Sequence, residues 1–244
     1  MGINCTFKRY EKKYLLTEEQ RKALMERLSG KAEIDSYGLT TICNVYYDTE
    51  DFYLIRESLE KPDYKEKFRV RAYGTPDKSS NVFLEIKKKY DGVVYKRRIF
   101  LPYSEAMNYL ENGVRPQNES QIFKEIDRFL SFYGAKPRVY LAYDRIAMLG
   151  TEDKEVRITL DSNIRSRFYD LDLAKGDYGE RLLPDGTYLM EIKVAGAMPL
   201  WLAHILSDLD IKPVSFSKYG SVYKRKIAES KRIELVKNEI PFAV

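Results

Sequence analysis

The sequence predicts an α+β protein built mainly from antiparallel β-strands, and three observations lead to this fold class. Eight segments rich in Tyr, Val, Ile, Thr and Phe alternate between apolar and polar residues, which is the period of a half-buried strand. Most of these segments follow one another without a helix between them, whereas a parallel sheet needs a crossover for each strand. One side of each strand is apolar and can be covered by helices, while the other side is charged.

The strands follow in order from this alternation. They are predicted over residues 5–15, 40–48, 64–73, 82–89, 93–101, 138–149, 155–161 and 187–194, with an additional strand considered over 163–170. Asp91 and Gly92 separate the fourth strand from the fifth. They predict a type I′ hairpin, because both central positions of that turn need a positive φ. The stretch 75–81 is predicted to connect another hairpin, and 172–186 to be a loop.

Helices are predicted where start and stop signals frame a segment. Thr17 and Gln20 form a capping-box pattern, Ser104 precedes a second helix, and Gly134 follows a third. The predicted helices cover 17–29, 51–58, 104–112, 119–133, 199–209 and the stretch from Ser217 toward Glu239.

Composition excludes several classes of protein. The hydrophobic fraction is 44%, the charged fraction 32% and the mean hydropathy −0.48, which suit a globular protein. No apolar run approaches the roughly 18–20 residues of a membrane-spanning helix. Cys5 and Cys43 supply neither a disulfide framework nor a zinc site, so we expect a cytoplasmic protein. The 244 residues are expected to form a single domain, 1–244, with a large core.

The charged sides of the strands carry the functional signal. Glu11, Glu85 and Glu191 each precede a lysine by two residues, so that both side chains lie on one face of a strand. Twelve cations and four carboxylates lie on these faces, although the whole chain has a net charge of only +5. The cations are Arg9, Lys13, Lys67, Arg69, Arg71, Lys87, Lys96, Arg98, Arg145, Arg157, Lys193 and Lys218, and the carboxylates are Glu11, Glu85, Asp161 and Glu191. A nucleic-acid binder more often carries an external basic stripe with interleaved aromatics, so we expect a different polyanion and no nucleic acid.

Two arrangements of these faces are compatible with the pattern. An open antiparallel sheet can turn its polar face to water. In that case, however, like charges would repel one another across neighbouring strands. The alternative is a closed barrel with the charged faces turned inward, since interior and exterior residues alternate along barrel strands. Buried cations without partners destabilise a fold, so such a lumen needs water and an anionic ligand.

Seven short segments occur in an order that resembles a known family. They are 9–14, 69–71, 84–87, 96–98, 143–145, 190–193 and 217–219. Together they are similar to the VTC-type polyphosphate polymerase domain of the triphosphate tunnel (CYTH-like) metalloenzymes, over about residues 5–225. The resemblance implies an eight-stranded closed antiparallel barrel flanked by helices, with a charged lumen that binds a triphosphate and a divalent metal. It also implies phosphoryl transfer from ATP to a growing inorganic polyphosphate and leaves room for a membrane-protein partner. Triphosphate hydrolysis and a catalytically silent polyphosphate-binding module are the alternatives.

Site assignments follow from the resemblance and from phosphate chemistry. Arginine can grip phosphate oxygens with two donors, lysine acts as a compact charge, and Mg²⁺ or Mn²⁺ prefers carboxylate and phosphate oxygens. The proposed catalytic residues are Lys218, Lys13, Arg145 and Lys87. The proposed phosphate-binding residues are Arg9, Lys67, Arg69, Arg71, Lys96, Arg98, Arg157, Lys193 and Ser217. The proposed ligands for Mn²⁺ or Mg²⁺ are Glu191, Glu85 and Glu11.

Two departures from the family pattern bear on the reaction. Arg9 stands where the broader superfamily has a glutamate, which VTC-type domains share and which weakens metal binding on that strand. Ser215 stands where the eukaryotic polymerase pattern has a lysine, so that one phosphate contact is missing.

Simpler explanations exist for several residues. Glu11 and Glu85 can simply neutralise neighbouring lysines, and Arg157 can form a structural ion pair with Asp161. His204 is expected to be a packing or surface residue rather than a base. Cations at hairpin ends or on the opposite register are expected to be solvated, namely Lys65, Lys88, Lys89 and Arg97.

Overall fold

A computed structural model describes residues 10–91, 93–118 and 120–239 of the chain. Within these ranges, ten β-strands form one sheet, and every pairing is antiparallel. The strands are β1 (Tyr10–Leu16), β2 (Ala32–Asp48), β3 (Tyr64–Tyr73), β4 (Asn81–Tyr90), β5 (Val93–Pro102), β6 (Lys136–Gly150), β7 (Arg157–Arg167), β8 (Glu180–Arg181), β9 (Tyr188–Val194) and β10 (Pro213–Val214). The predicted class is confirmed: the fold is mainly antiparallel β with added helices.

The sequence pattern misplaced two strand boundaries. The strand considered over 163–170 is the continuation of β7, and β2 begins eight residues before the predicted start at residue 40. A register shift between Ile34 and Leu39 interrupts the pairing of β2 with β6. The apolar alternation breaks at that irregularity, which explains why the first half of β2 escaped the pattern. Residues 5–9 of the first predicted strand lie outside the described residues.

The prediction of a closed barrel is wrong. The strand order is β10-β1-β9-β7-β6-β2-β3-β4-β5, with β8 attached to β7, and in the described ranges no pairing joins the two ends. The free edge of β1 is taken by β10, whose chain continues into the helix that begins at Lys218. The sheet nevertheless curls. Lys87 of β4 and Val94 of β5 line one cleft together with Ser215, which follows β10, and β10 pairs with β1 near the other end of the strand order.

The helices cover the apolar side of the sheet and one part of its charged side. They are α1 (Glu18–Leu28), α2 (Tyr53–Leu59), α3 (Tyr103–Asn112), α4 (Gln121–Tyr133), α5 (Leu200–Asp208) and α6 (Lys218–Glu239), with a short 3-10 helix at Leu173–Lys175. Helices α3 and α4 pack on β3–β5, and α1 and α5 pack on the apolar side of β1, β7 and β9. The predicted capping box is confirmed, because Thr17 Oγ1 accepts from Gln20 N at 3.2 Å and Gln20 Oε1 accepts from Thr17 N at 3.1 Å. Gly134 ends α4 with a φ of 55°.

A third apolar cluster lies on the charged side and fixes α6. Tyr219 and Val222 of α6 are buried against Tyr46, Tyr143 and other residues of the central strands. Tyr46 pairs with Arg69 in the β2–β3 register, so this packing shares its face with the cations. Helix α6 therefore covers part of the charged face, and β10 takes the edge of β1 that a closed barrel would need.

The predicted β4–β5 hairpin is present. Tyr90 pairs with Val93, and Asp91 has a φ of 44°, as the first central position of a type I′ turn requires. Gly92, the second central residue of the prediction, lies outside the described residues.

Candidate functional site

The charged face of the sheet gathers its side chains into two clusters. The Glu191 cluster comprises Glu11, Lys13, Arg145, Asp161, Glu191, Lys193 and Lys218. The Glu85 cluster comprises Arg69, Arg71, Glu85, Lys96 and Arg98. Each cluster places carboxylates at the centre and cations around them.

Strands β1 and β9 build one half of the Glu191 cluster by their register. Glu11 pairs with Lys193, and Lys13 pairs with Glu191. Each of these four side chains therefore has neighbours of the opposite charge. The Nζ atom of Lys13 lies 3.4 Å from Glu11 and 3.8 Å from Glu191, and that of Lys193 lies 3.6 Å and 3.7 Å from the same two carboxylates. Lys13 also donates to the carbonyl oxygen of Phe216 at 3.0 Å, which ties β1 to the segment before α6.

Strands β6 and β7 and helix α6 build the other half. Arg145 donates two hydrogen bonds to Asp161, at 2.6 Å and 2.8 Å, and Asp161 is fully buried. Lys218 lies 2.5 Å from Asp161 and donates to Glu191 at 3.1 Å. Lys218 is the first residue of α6, whose preceding residue Ser217 accepts from the Gly220 amide at 3.2 Å. The start of this helix therefore sets where the Lys218 ammonium lies.

The Glu85 cluster crosses β3, β4 and β5. Glu85 pairs with Arg69 on one side and Arg98 on the other, and only 2% of its side chain is exposed. Arg69 donates to it at 2.8 Å, Lys96 lies at 3.1 Å, and Arg71 and Arg98 lie at 3.8 Å. Four cations thus share a single buried carboxylate.

Tyr143 joins the two clusters. Its hydroxyl accepts from Arg71 at 3.3 Å, while Arg145 and Lys218 lie 5.0 Å and 4.6 Å from the centre of its ring. Cations at these distances from an aromatic face are attracted to its π electrons. Burial raises the pKa of the Tyr143 phenol, but Arg71, Arg145 and Lys218 outweigh burial and lower it.

The pKa values of the buried groups reflect this crowding. Burial opposes ionisation of Glu85 and Glu191, but the surrounding cations hold the pKa of both carboxyls well below the usual range, and Glu85 at about 2. Burial lowers the pKa of Lys218, but the charges of Asp161 and Glu191 outweigh burial and raise it above its ordinary value. Burial, with neighbouring lysines, lowers the pKa of Lys67 to about 8. The carboxylates are therefore firmly ionised and weakly basic.

A cleft of about 350 Å³ opens beside the two clusters, between β3–β5 and the start of α6. We call it the lysine cleft, after the six lysines that line it. They are Lys61, Lys65, Lys67, Lys87, Lys89 and Lys224. Ser215 and Ser217 line its α6 side.

The structure brings most of the predicted residues together. All of the proposed catalytic and metal-binding residues, and most of the phosphate-binding ones, lie in the two clusters or at the lysine cleft. Arg157 is exposed, opposite Lys193 in the β7–β9 register. Arg9 lies outside the described residues.

Two of the simpler explanations are corrected. Asp161 does not pair with Arg157; within the described ranges its ion-pair partners are Arg145 and Lys218. Lys65 is not simply solvated, because its ammonium donates to the carbonyl oxygen of Ser58 at 3.0 Å. Lys65 and Lys89 both line the cleft. Both are odd-numbered, as Lys67 and Lys87 are, so period-two alternation would have placed them on the charged face. Lys88 and Arg97 are on the opposite face, where they approach Glu125 at 3.7 Å and 2.6 Å. His204 is exposed, as expected.

Tyr143 is the site residue that the sequence reasoning missed. It precedes Arg145 by two residues on β6, so the same alternation was available as a signal. Its aromatic side chain resembled a core residue, but it lies beside Arg71, Arg145 and Lys218 on the charged face.

The carboxylates do not form a ready metal cage. Glu85 belongs to one cluster, whereas Glu11 and Glu191 belong to the other. Across the described residues, no group of three or more His, Cys, Asp or Glu side chains is close enough to hold an ion. Across the same residues, no helix is both long and apolar enough to cross a membrane.

Comparisons with known proteins agree on one family. The model of the VTC domain matches residues 8–226. Subunit 4 of the vacuolar transporter chaperone complex of Schizosaccharomyces pombe is 28% identical over an alignment that covers 50% of this chain and 20% of the relative. The chain thus spans about a fifth of that curated relative's length.

Two solved structures share the fold. One is a proposed adenylate cyclase from Bacillus halodurans, with a TM-score of 0.53 and 20% identity, covering 85% of this chain and 92% of its own. The other, an adenylyl cyclase candidate from Hippeastrum described as having a dominant triphosphatase activity, has a TM-score of 0.51 and 17% identity, covering 86% and 92%.

Proposed function

Because the chain belongs to the VTC domain family, we propose that it binds ATP or inorganic triphosphate on its charged face and transfers the terminal phosphoryl group to inorganic polyphosphate. In this reaction the bond between the bridging oxygen and the terminal phosphorus of the donor breaks. ADP leaves when the donor is ATP, and pyrophosphate leaves when it is inorganic triphosphate. A new bond forms between that phosphorus and a terminal oxygen of the acceptor chain.

The surplus of positive charge carries the proposal. The two clusters contain eight cationic side chains, and the adjoining Lys67 and Lys87 bring the number to ten among the described residues. The same described region contains only four carboxylates. Phosphoryl transfer needs little covalent help and depends on positioning and on neutralising the charge of the phosphates. A polyphosphate supplies the negative charge that this face lacks.

Glu85 and Glu191 are poor general bases, so neither carboxylate would activate a water molecule for hydrolysis. Water needs a base to remove its proton, and a general base works best when its pKa lies near the working pH. The pKa values of Glu85 and Glu191 are both depressed far below that range. A terminal phosphate oxygen is already ionised and needs no base.

Individual roles follow from position. Arg69, Arg71 and Arg145 would hold phosphate oxygens with paired donors. Lys218, held between Asp161 and Glu191, would neutralise the charge that develops on the transferred group. Further positive charge would come from the remaining proposed cations, and Ser217 would add a hydroxyl donor. These cations are Arg9, Lys13, Lys67, Lys87, Lys96, Arg98, Arg157 and Lys193.

A divalent metal fits this site when the phosphates supply most of its ligands. Mg²⁺ and Mn²⁺ are commonly bound by one or two carboxylates together with substrate phosphates and water. Glu191 and Glu11, which share Lys13 and Lys193 as neighbours, are the carboxylates that would hold the ion, and Glu85 would serve the adjoining cluster. When bound, the metal would neutralise charge on the β- and γ-phosphates.

Triphosphate hydrolysis is the second candidate, and Ser215 favours it. This residue lies at the lysine cleft, where the eukaryotic polymerase pattern has a lysine, so the acceptor chain has one cation fewer. Assembly with a membrane protein is an extension of the first candidate, because the yeast relative is named as a subunit of a transporter chaperone complex.

One incubation separates these functions. The protein is incubated with ATP and Mn²⁺, and the products are analysed for long chains on a gel, for free phosphate, and for ADP. Long chains with matching ADP support the polymerase, free phosphate without chains supports the hydrolase, and ligand binding without turnover supports the silent module. Absence of triphosphate binding would refute all three.

Glu191→Ala tests the metal assignment, with Glu33→Ala, an exposed glutamate of β2, as the matched control. We expect the Glu191 variant to lose most of the Mn²⁺-dependent activity and the control to keep it. Full activity of the Glu191 variant would exclude this residue as a metal ligand.

A further inference from the structure

The cations of β3, β4 and β5 form rungs across the charged face. Lys65 pairs with Lys89 in the first rung, and Lys67 pairs with Lys87, which pairs with Lys96, in the second. Arg69, Glu85 and Arg98 form the third rung. From residue 65 to residue 71, the cations of β3 alone span ~20 Å along the strand.

Among the described residues, the β3 and β4 lysines of the first two rungs lack the carboxylate that balances the third rung. Within the described ranges, no carboxylate forms an ion pair with Lys65, Lys67, Lys87 or Lys89, and no acidic residue lines the cleft there. Like charges directly opposite each other on paired strands destabilise a sheet. Burial, and then the charge of Lys89, lower the pKa of Lys65. An anionic ligand lying between these lysines would offset the repulsion.

The cleft continues the line of the phosphate site. The second rung adjoins the Glu85 cluster through Lys96, which lies 3.1 Å from Glu85. On the opposite wall Lys224 of α6 adds a cation, and Ser215, Ser217 and Ser221 add hydroxyl donors. A linear anion held by Arg69 can therefore extend past Lys67 toward Lys65 without meeting a described carboxylate.

We propose that the lysine cleft is a subsite for the part of a linear polyphosphate that extends beyond the three phosphates at the two clusters. The inference rests on the proposed function and adds to it a preference for long chains. Lys65, Lys89, Lys61 and Lys224 bind the outlying phosphates as point charges, and they do not touch the reacting group.

The test compares two ligands on Lys65→Gln/Lys89→Gln. Binding of tripolyphosphate and of a long-chain polyphosphate is measured by calorimetry in EDTA at several salt concentrations. In the wild type, the long chain should bind more tightly and with a steeper salt dependence than tripolyphosphate. In the double variant, affinity for the long chain should fall at least about fivefold and its salt slope by roughly one to two, as expected from losing two phosphate contacts. Tripolyphosphate affinity should stay within about twofold, because neither lysine contacts the two clusters.

The matched control is Lys88→Gln/Lys22→Gln, which removes the same charge from the opposite face of β4 and from exposed α1. It should preserve both affinities, and thermal melts check that both variants are folded. Equal losses for both ligands, or losses of the same size in the control, would overturn the subsite. Competition with a single-stranded RNA is a further check. If the RNA displaces the long chain from the wild type but not from the double variant, the cleft is a general polyanion surface and the subsite is overturned. If the wild type binds tripolyphosphate but binds long chains no more tightly, the subsite alone is refuted. If the wild type binds neither ligand, the proposed function is refuted as well.

Discussion

Replacing Glu85 by glutamine removes the one carboxylate that four cations share. The substitution keeps the volume of the side chain and one acceptor for Arg69, and it resembles the protonated carboxyl. Burial raises the pKa of Glu85, but Arg69, Arg71 and Lys96 outweigh it and bring the value from an ordinary 4.5 to about 2. That difference corresponds to ~3 kcal/mol of folding free energy. Because the side chain is only 2% exposed, solvent screening does not reduce the figure.

We therefore expect Glu85→Gln to be ~3 kcal/mol less stable at pH 7, which lowers the melting temperature by roughly 6–12 °C in a chain of this size. Urea titration in EDTA gives the free energy, and Glu33→Gln, at an exposed position, is the control. The sign follows from linkage between protonation and folding. A carboxyl whose pKa is depressed in the folded state stabilises the fold at pH values above its pKa in the unfolded state, and this stability is lost as the pH falls through the folded pKa. The difference between wild type and variant should therefore shrink as the pH falls from 4.5 toward 2.

In EDTA, where no divalent metal takes part, the same variant should bind triphosphate at least as tightly as the wild type, because it removes a negative charge from a cationic site. Saturating tripolyphosphate should then recover part of the lost stability. Our account of the Glu85 cluster is refuted if Glu85→Gln melts within about 1 °C of the wild type at pH 7, since a deeply depressed pKa requires a measurable linkage.

Three further predictions concern the neighbouring groups. Tripolyphosphate affinity should fall severalfold as the pH rises through about 8, because burial lowers the pKa of both Lys67 and Lys96 to about 8 and only the charged forms attract the ligand. Lys67→Arg/Lys96→Arg should flatten this profile, and a flat wild-type profile would contradict the prediction. Tyr219→Phe removes the 2.7 Å hydrogen bond to buried Asp48 and should cost ~1.5–3 kcal/mol in urea unfolding; an unchanged midpoint would show that the bond contributes nothing. Arg145→Lys keeps the charge but loses the two-donor contact with Asp161, so turnover should drop more than tenfold while the melting temperature falls by only a few degrees; wild-type kcat would remove Arg145 from the proposed catalytic set.

Local periodicity was enough to assign the charged faces. A strand alternates its side chains whatever the rest of the chain does, so Glu191 with Lys193, and Lys67 with Arg69, could be placed on common faces from the sequence. The same rule could have placed Tyr143 and Lys65. We missed both because a tyrosine resembled core and a lysine near a hairpin resembled surface.

Contacts between residues far apart in the sequence could not be predicted from strand alternation. Asp161 has Arg145 and Lys218 as its partners, and the second of these arrives on a helix that follows it by more than fifty residues. Whether the sheet closes also depends on contacts between distant segments. Strand β10 takes the edge of β1, and Tyr219 and Val222 of α6 pack on the face where a barrel would have its lumen. Alternation specifies which side of a strand is charged, because that depends only on neighbours along the chain. Which edges meet depends on the packing free energy of segments far apart in sequence, and only the folded molecule reveals it.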